Sequence, residues 1–123
     1  MKTDRELLEL AAKAAGIGPL DFDYASREIH GFYFGPRLPM PQGVLMAAMH
    51  TYWNPLTDDG DALRLAVKLT MMIDYITKPA NAYMSGHVVA VSSAGSFYEE
   101  GFTEESTRRA IVSAAAAIGE QMP

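Results

Sequence analysis

Cysteine is missing from this 123-residue chain, which excludes a disulfide, a thiolate nucleophile and a cysteine-bound zinc. That agrees with a reducing cytoplasm. Cations are scarce as well. Ten Lys and Arg against fifteen Asp and Glu give a formal net charge of −5, which opposes broad electrostatic binding to DNA or to an anionic membrane. A basic protein partner stays compatible with that charge. Long hydrophobic runs are lacking too: the uncharged stretches 38–57 and 79–98 are interrupted by proline or glycine, amides and a histidine, so neither reads as a membrane span. The start, Met1-Lys2-Thr3-Asp4-Arg5-Glu6, is charged and does not read as a signal peptide. There is no internal repeat and no low-complexity linker. With 49% hydrophobic and 20% charged residues, the chain reads as one soluble globular domain over residues 1–123.

Three helices are signposted. Thr3 and Glu6 form a capping box, Leu7, Leu10, Ala11 and Ala14 follow at helical spacing, and Gly16 ends the segment, which predicts a helix over 4–15. Glu9 and Lys13 are spaced to pair on its outer face. The second helix starts at Asp58 or Asp59, with aspartates placed against the positive end of its dipole. Ala62, Leu65, Ala66 and Leu69 are its apolar stripe. The third is capped by Thr103, carries Glu104 and Glu105 in its first turn, and buries Ile111, Ala114, Ala115, Ile118 and Met122. Glu104 is spaced to pair with Arg108, and Glu105 with Arg109.

Strands are less sharply marked. The aromatic stretch 28–34 predicts one, ending at Gly35-Pro36. Leu38-Pro39-Met40-Pro41 must be irregular. Residues 44–53 favour helix by their Met and Ala content and strand by Thr51, Tyr52 and Trp53; pairing with 28–34 in a hairpin decides for strand. Residues 71–77 predict a strand with Ile73, Tyr75 and Thr77 on one side, broken at Lys78-Pro79-Ala80-Asn81. His87-Val88-Val89-Ala90-Val91-Ser92 is the strongest strand, bounded by Gly86 and Gly95. The expected order is α-β-β-α-β-β-α, a single-domain α/β (α+β) sandwich with a mainly antiparallel four-stranded sheet packed by helices. Its expected core includes Leu7, Leu10, Ala11, Leu65, Ala66, Val89, Val91, Ile111 and Ile118.

The chemistry-bearing residues do not assemble into a motif. His30, His50 and His87 stand alone, without ligand spacing, so no metal site and no cofactor is expected. Ser92-Ser93-Ala94-Gly95-Ser96 lacks a glycine-flanked serine elbow and reads as a polar turn. Gly16-Ile17-Gly18 continues as neither a phosphate loop nor a dinucleotide fingerprint. In Asp58-Asp59-Gly60-Asp61, an EF-hand register would put Pro55 first and Ala66 last, neither of which offers a carboxylate. No basic residue interleaves Phe32, Tyr33 and Phe34 except the later Arg37, which speaks for a core or protein contact over nucleic acid. No catalytic residue is assigned, and the chain reads as a non-enzyme.

Two surface features remain. Phe97-Tyr98-Glu99-Glu100-Gly101-Phe102-Thr103-Glu104-Glu105 mixes aromatics with carboxylates ahead of the third helix. It reads either as a helix entrance with its aromatics turned inward, or as a partner-binding surface centred on Tyr98, Glu99, Glu100, Glu104 and Glu105. The Met40–Met49 stretch is a contact or homodimer patch, or equally core filler.

Two separated blocks carry a family resemblance. The segment Thr3 to Ile17 and the run Trp53-Asn54-Pro55-Leu56-Thr57-Asp58-Asp59-Gly60-Asp61-Ala62-Leu63-Arg64-Leu65-Ala66-Val67 resemble the phage ABA sandwich domain family, and Ser106-Thr107-Arg108-Arg109-Ala110-Ile111-Val112 fits as a final helix. The resemblance implies a phage or prophage origin and an α/β sandwich, with no activity or catalytic residues to carry over. The Met/Pro-rich middle, roughly 36–52, departs from the pattern. Together these readings make the expected function a non-enzymatic accessory protein in the bacterial host's cytoplasm. It would bind and inhibit a host protein with a basic surface, an anti-CRISPR-type inhibitor of a defence complex being the sharpest version. The alternative is a small-ligand-binding or regulatory domain using a pocket between sheet and helices.

Overall fold

The computed structural model describes residues 2–17, 20, 53–80 and 83–123, with main chain alone at 78–80 and 83–85. Among them lie three helices and a three-stranded antiparallel sheet, an α+β arrangement. The first helix, α1 (Asp4–Ala14), starts at the expected capping box. Thr3 Oγ1 accepts the Glu6 N–H at 3.2 Å, and the Glu6 carboxylate accepts the Thr3 N–H at 3.3 Å. Gly16, at φ 71°, lets the Ile17 N–H reach back to the Ala12 carbonyl. The buried face is Leu7, Leu8, Ala11 and Ala12, while Leu10 and Ala14 are half-buried. Both sets fit an apolar stripe of ordinary width, so the packing partner decides which is inside. Glu9 pairs with Arg5, not with Lys13, whose ammonium donates to the Met122 carbonyl at 3.0 Å.

The Trp-Asn-Pro-Leu run is an anchored turn. Trp53 and Pro55 are buried, and Trp53 lies in the core cluster with Leu7, Leu65 and Ile111. Asn54 Oδ1 accepts the Leu56 N–H, and its carbonyl accepts those of Thr57 and Asp58. The turn delivers Asp58 as N-cap of α2 (Asp59–Lys68), accepting the Asp61 N–H at 2.8 Å. Asp61, itself buried, accepts from the Asn54 N–H at 2.9 Å and from Arg64 at 2.8 Å. The aspartates are thus helix-start hardware, as the dipole requires. Ala62, Leu65 and Ala66 face inward as expected. The stop is at Thr70, whose φ of 50° is the left-handed conformation usually left to glycine.

Three strands follow: β1 (Met72–Ala80), β2 (Tyr83–Ser92) and β3 (Gly95–Glu100), in the order β1-β2-β3. The expected break at Lys78-Pro79-Ala80 is instead strand, since Pro79 pairs opposite Met84. A proline is tolerated where its missing N–H faces away from the partner strand. Gly86 does not bound β2 but lies within it: a Cβ there would stand 2.0 Å from the Ile76 carbonyl oxygen and 2.4 Å from Phe102 Cζ. The Ser93-Ala94 turn, at the polar turn expected over 92–96, connects β2 to β3, so that residues 97–100 of the expected helix entrance are strand instead. Of the four strands expected, those over 28–34 and 44–53 lie outside the described residues, apart from Trp53, which is not in a strand.

The last helix, α3 (Glu104–Gln121), is capped by Thr103 and packs on β2, β3, α1 and α2. Because it is covered from several sides, it buries Ala110, Ile111, Val112, Ala114, Ala115, Ala116 and Gly119, whereas Ile118 is half-buried and Met122 exposed. Its Ala110 and Ala114 meet Val88 and Ala90. Strand alternation therefore points Val89 and Val91 to the opposite face of the sheet, where Val89 is buried as expected and Val91 is half-buried. Four consecutive apolar residues hide the parity of β2; the alanine face of α3 selects it.

Candidate functional site

A cleft of about 660 Å³ opens between α2, β1 and the start of α3. Its β1 wall is Ile73, Tyr75 and Thr77, the three side chains expected on one side of that strand. Its α2 wall is Ala62 and Leu63, and α3 supplies Thr107, Arg108 and Ile111. Phe102 reaches it from the turn between β3 and α3, its ring close over Gly86 and edge-on to Tyr75 at 6.2 Å. The absent side chain at Gly86 is what admits the ring. Tyr75 Oη and Thr107 Oγ1 are hydrogen-bonded at 2.8 Å, joining β1 to α3.

Large apolar groups stay open to solvent around this cleft. Leu63 is 62% exposed, Tyr75 49% and Phe102 40%, and Val67, one turn beyond Leu63 on α2, is exposed as well. Exposed apolar side chains at i and i+4 outside the buried stripe have no packing role in the described residues. Such a patch on a small protein commonly marks a contact surface.

The ion pairs expected inside α3 do not form, and their replacement shapes the electrostatics. Arg108 is largely buried, donating Nε–H to the Leu56 carbonyl at 2.8 Å and pairing with Asp59. Arg109 pairs with Asp4 at 3.0 Å. Each arginine ties α3 to another segment: tertiary partners displaced the i, i+4 carboxylates. Glu104 and Glu105 are consequently exposed without a cation among the described residues, and Glu104 lines the cleft.

The five expected partner-binding residues are divided by strand alternation. Tyr98, 61% exposed, lies on the sheet face away from α3, with its ring 5.1 Å from that of His87. Glu100 shares that face, since it is opposite His87 in register. Glu99 is on the α3 side and lines a second hollow of about 640 Å³, beside the pairs Lys2–Glu120 and Arg109–Asp4. Glu104 alone of the five lines the cleft; Glu105 is exposed in the same first turn of α3. Leu63, Tyr75, Phe102 and Thr107 were not among the expected residues. The legible signal for two of them was an off-stripe leucine on α2 and a tyrosine on the Ile73 side of β1.

His30, His50 and the Met40–Met49 patch lie outside the described residues, so the dimer reading of that patch does too. Among the described residues, no group of three His, Asp or Glu is placed to hold a metal ion. No helix among them is long and apolar enough to cross a membrane. No family model, curated protein or solved structure matches the chain.

Proposed function

We propose that this chain is a non-enzymatic accessory protein of phage or prophage type, acting in the bacterial cytoplasm by binding and inhibiting a host protein, with an anti-CRISPR-type inhibitor as its sharpest version. The observation that carries the binding role is the apolar cleft with Leu63, Tyr75 and Phe102 at its mouth and, beside it, the carboxylates of Glu104 and Glu105, unpaired among the described residues. Apolar anchors supply contact energy, and flanking charge of one sign speeds encounter with a partner of the other. The phage origin rests on the resemblance of the 3–17 and 53–67 segments. The interface centred on Tyr98, Glu99, Glu100, Glu104 and Glu105 narrows to the cleft side, with Phe102 added.

The test is capture of host proteins by tagged protein, comparing wild type with Leu63→Ser and with the pair Glu104→Gln and Glu105→Gln, all confirmed folded. Loss of the same captured band in both variants, with retention after Glu9→Lys on the outer face of α1, is the expected result. Capture indifferent to Leu63 and to both glutamates refutes the cleft as the interface. Glu99→Lys with Glu100→Lys should weaken capture less, because Glu99 lies in the other hollow. For the anti-CRISPR version, expression of the protein should restore plating of a targeted phage on an immune host. A second reading, a small apolar ligand, is favoured by the cleft volume, which falls within the usual range for small-molecule sites of roughly 300–1,000 Å³.

A further inference from the structure

We infer that the cleft takes a basic amphipathic segment of a partner protein, one that inserts a large apolar side chain over Tyr75 and Phe102 and sets a lysine or arginine against Glu104. This rests on the protein-binding reading above and names the chemistry of the partner.

Three observations select that occupant. The first is extent. The apolar surface does not stop at the cleft: Leu63 and Val67 form an exposed ridge along α2, one helical turn apart or about 6 Å between Cβ atoms. A drug-sized molecule in the cleft leaves Val67 in water, whereas a peptide segment covers the ridge and fills the cleft together. The second is charge. The arginine that lines the cleft, Arg108, is engaged by Asp59 and the Leu56 carbonyl, and Arg64 by Asp61 and Asp58. Glu104 at the rim, and Glu105 beside it, keep their charge uncompensated within the described residues. At the Glu104 rim the charge offered to an incoming group is therefore negative, on a chain of net charge −5, with the exposed Lys68 beside Val67 as the cation of the ridge. The third is polarity inside. The Tyr75 and Thr107 hydroxyls satisfy each other at 2.8 Å, so an apolar side chain entering beside them strands neither. An acidic segment would meet the carboxylates of Glu104 and Asp59, and a purely apolar one would gain nothing from them.

Two synthetic helical peptides test this, one of leucine and lysine with leucines at i, i+3 and i+4, the other identical but with glutamate for every lysine. They are titrated into isotope-labelled protein and followed by amide and methyl shifts. The lysine peptide should move the signals of Leu63, Val67, Tyr75, Phe102 and Thr107, and the glutamate peptide should not. Leu63→Ser should weaken the lysine peptide about tenfold, from the apolar area no longer covered. Glu104→Gln should weaken it about threefold and flatten its salt dependence, as one exposed charge pair allows. Leu63 and Glu104 are exposed, so both variants should stay folded; unchanged amide spectra away from the cleft check this. Equal binding of the two peptides, or shifts confined to the β3 face carrying Tyr98, overturns the inference. So does occupation of the cleft by the anionic apolar dye anilinonaphthalene sulfonate while the lysine peptide is ignored, which favours the small-ligand reading. If Leu63→Ser abolishes host-protein capture yet the lysine peptide does not bind, the partner chemistry falls and the binding role stands. If capture survives Leu63→Ser, the cleft falls as the interface.

Discussion

Replacing Gly119 by alanine in the last turns of α3 sets two effects of opposite sign against each other. Helix propensity alone favours the change, by at most about 1 kcal/mol. The structure opposes it, because the new Cβ would stand 2.0 Å from the Leu10 carbonyl oxygen and 2.8 Å from its carbon, both backbone atoms of α1. Reaching ordinary contact near 3.4 Å requires the two helices to part by about 1.4 Å at that point. The seam they share is built from small side chains, Ala11, Ala12, Ala15, Ala115 and Ala116, all essentially without solvent exposure. A gap of even 0.5–1 Å forfeits roughly a quarter to a half of each contact's attraction. Overpacking of this kind costs about 1–3 kcal/mol, sometimes more. The clash therefore wins, and Gly119→Ala should destabilise the protein by about 2 kcal/mol. For a chain of this size that lowers Tm by about 8 °C, at roughly 4 °C per kcal/mol. Thermal melts by far-UV circular dichroism and urea titration measure it, the latter with an unchanged m-value if the transition stays two-state. An equal or higher Tm would mean that α1 and α3 do not approach at Gly119, and the close-packed seam would have to be abandoned.

Leu65→Ala removes a buried side chain from the α2 stripe and should cost about 2–5 kcal/mol, read as a lowered urea midpoint; an unchanged midpoint places that stripe elsewhere. Thr70→Gly should stabilise by about 0.5–1 kcal/mol, because a β-branched residue at φ 50° carries about 1–2 kcal/mol of left-handed strain and glycine returns only part of it as backbone entropy. A lower Tm for Thr70→Gly would contradict that conformation. Purified protein should neither cut nucleic acid nor hydrolyse nucleotides or esters, with or without divalent metal; turnover that is lost on changing His30, His50 or His87 refutes the non-enzymatic reading.

Helix starts were the most legible features of this chain, because a cap is a local bargain between a side chain and backbone groups three residues away. Thr3 with Glu6, Asp58 with Asp61, and Thr103 with Ser106 all form the contacts their spacing implies. β3 was not legible. Gly95 to Glu100 reads as turn and acidic lead-in because its α3-facing position 99 is a carboxylate, which masks the alternation. Only pairing with β2, Val89 opposite Tyr98 and Ala90 opposite Phe97, makes it a strand. The interface residues suffered from the same cause. Adjacent glutamates look like one surface in sequence, yet a strand sends Glu99 and Glu100 to opposite faces.

By itself, the sequence determined the composition class, the three helices with their caps, the apolar stripe of α2 and the strand character of 71–77 and 87–92. Each of these depends on residues no more than a turn or a strand length apart. Tertiary structure alone decided which apolar set of α1 is inside, which face of β2 meets α3, which carboxylate each arginine meets, and that Phe102, Tyr75 and Leu63 converge on one cleft. Arg108 shows why. In sequence its counter-charges are Glu105 and Glu104, three and four residues away, but the fold brings the Leu56 carbonyl and Asp59 to it in a more buried setting. There a charge-assisted hydrogen bond outweighs an exposed pair on the helix surface. That Glu104 at the cleft rim has no cation among the described residues follows from that choice, made across 49 residues of chain.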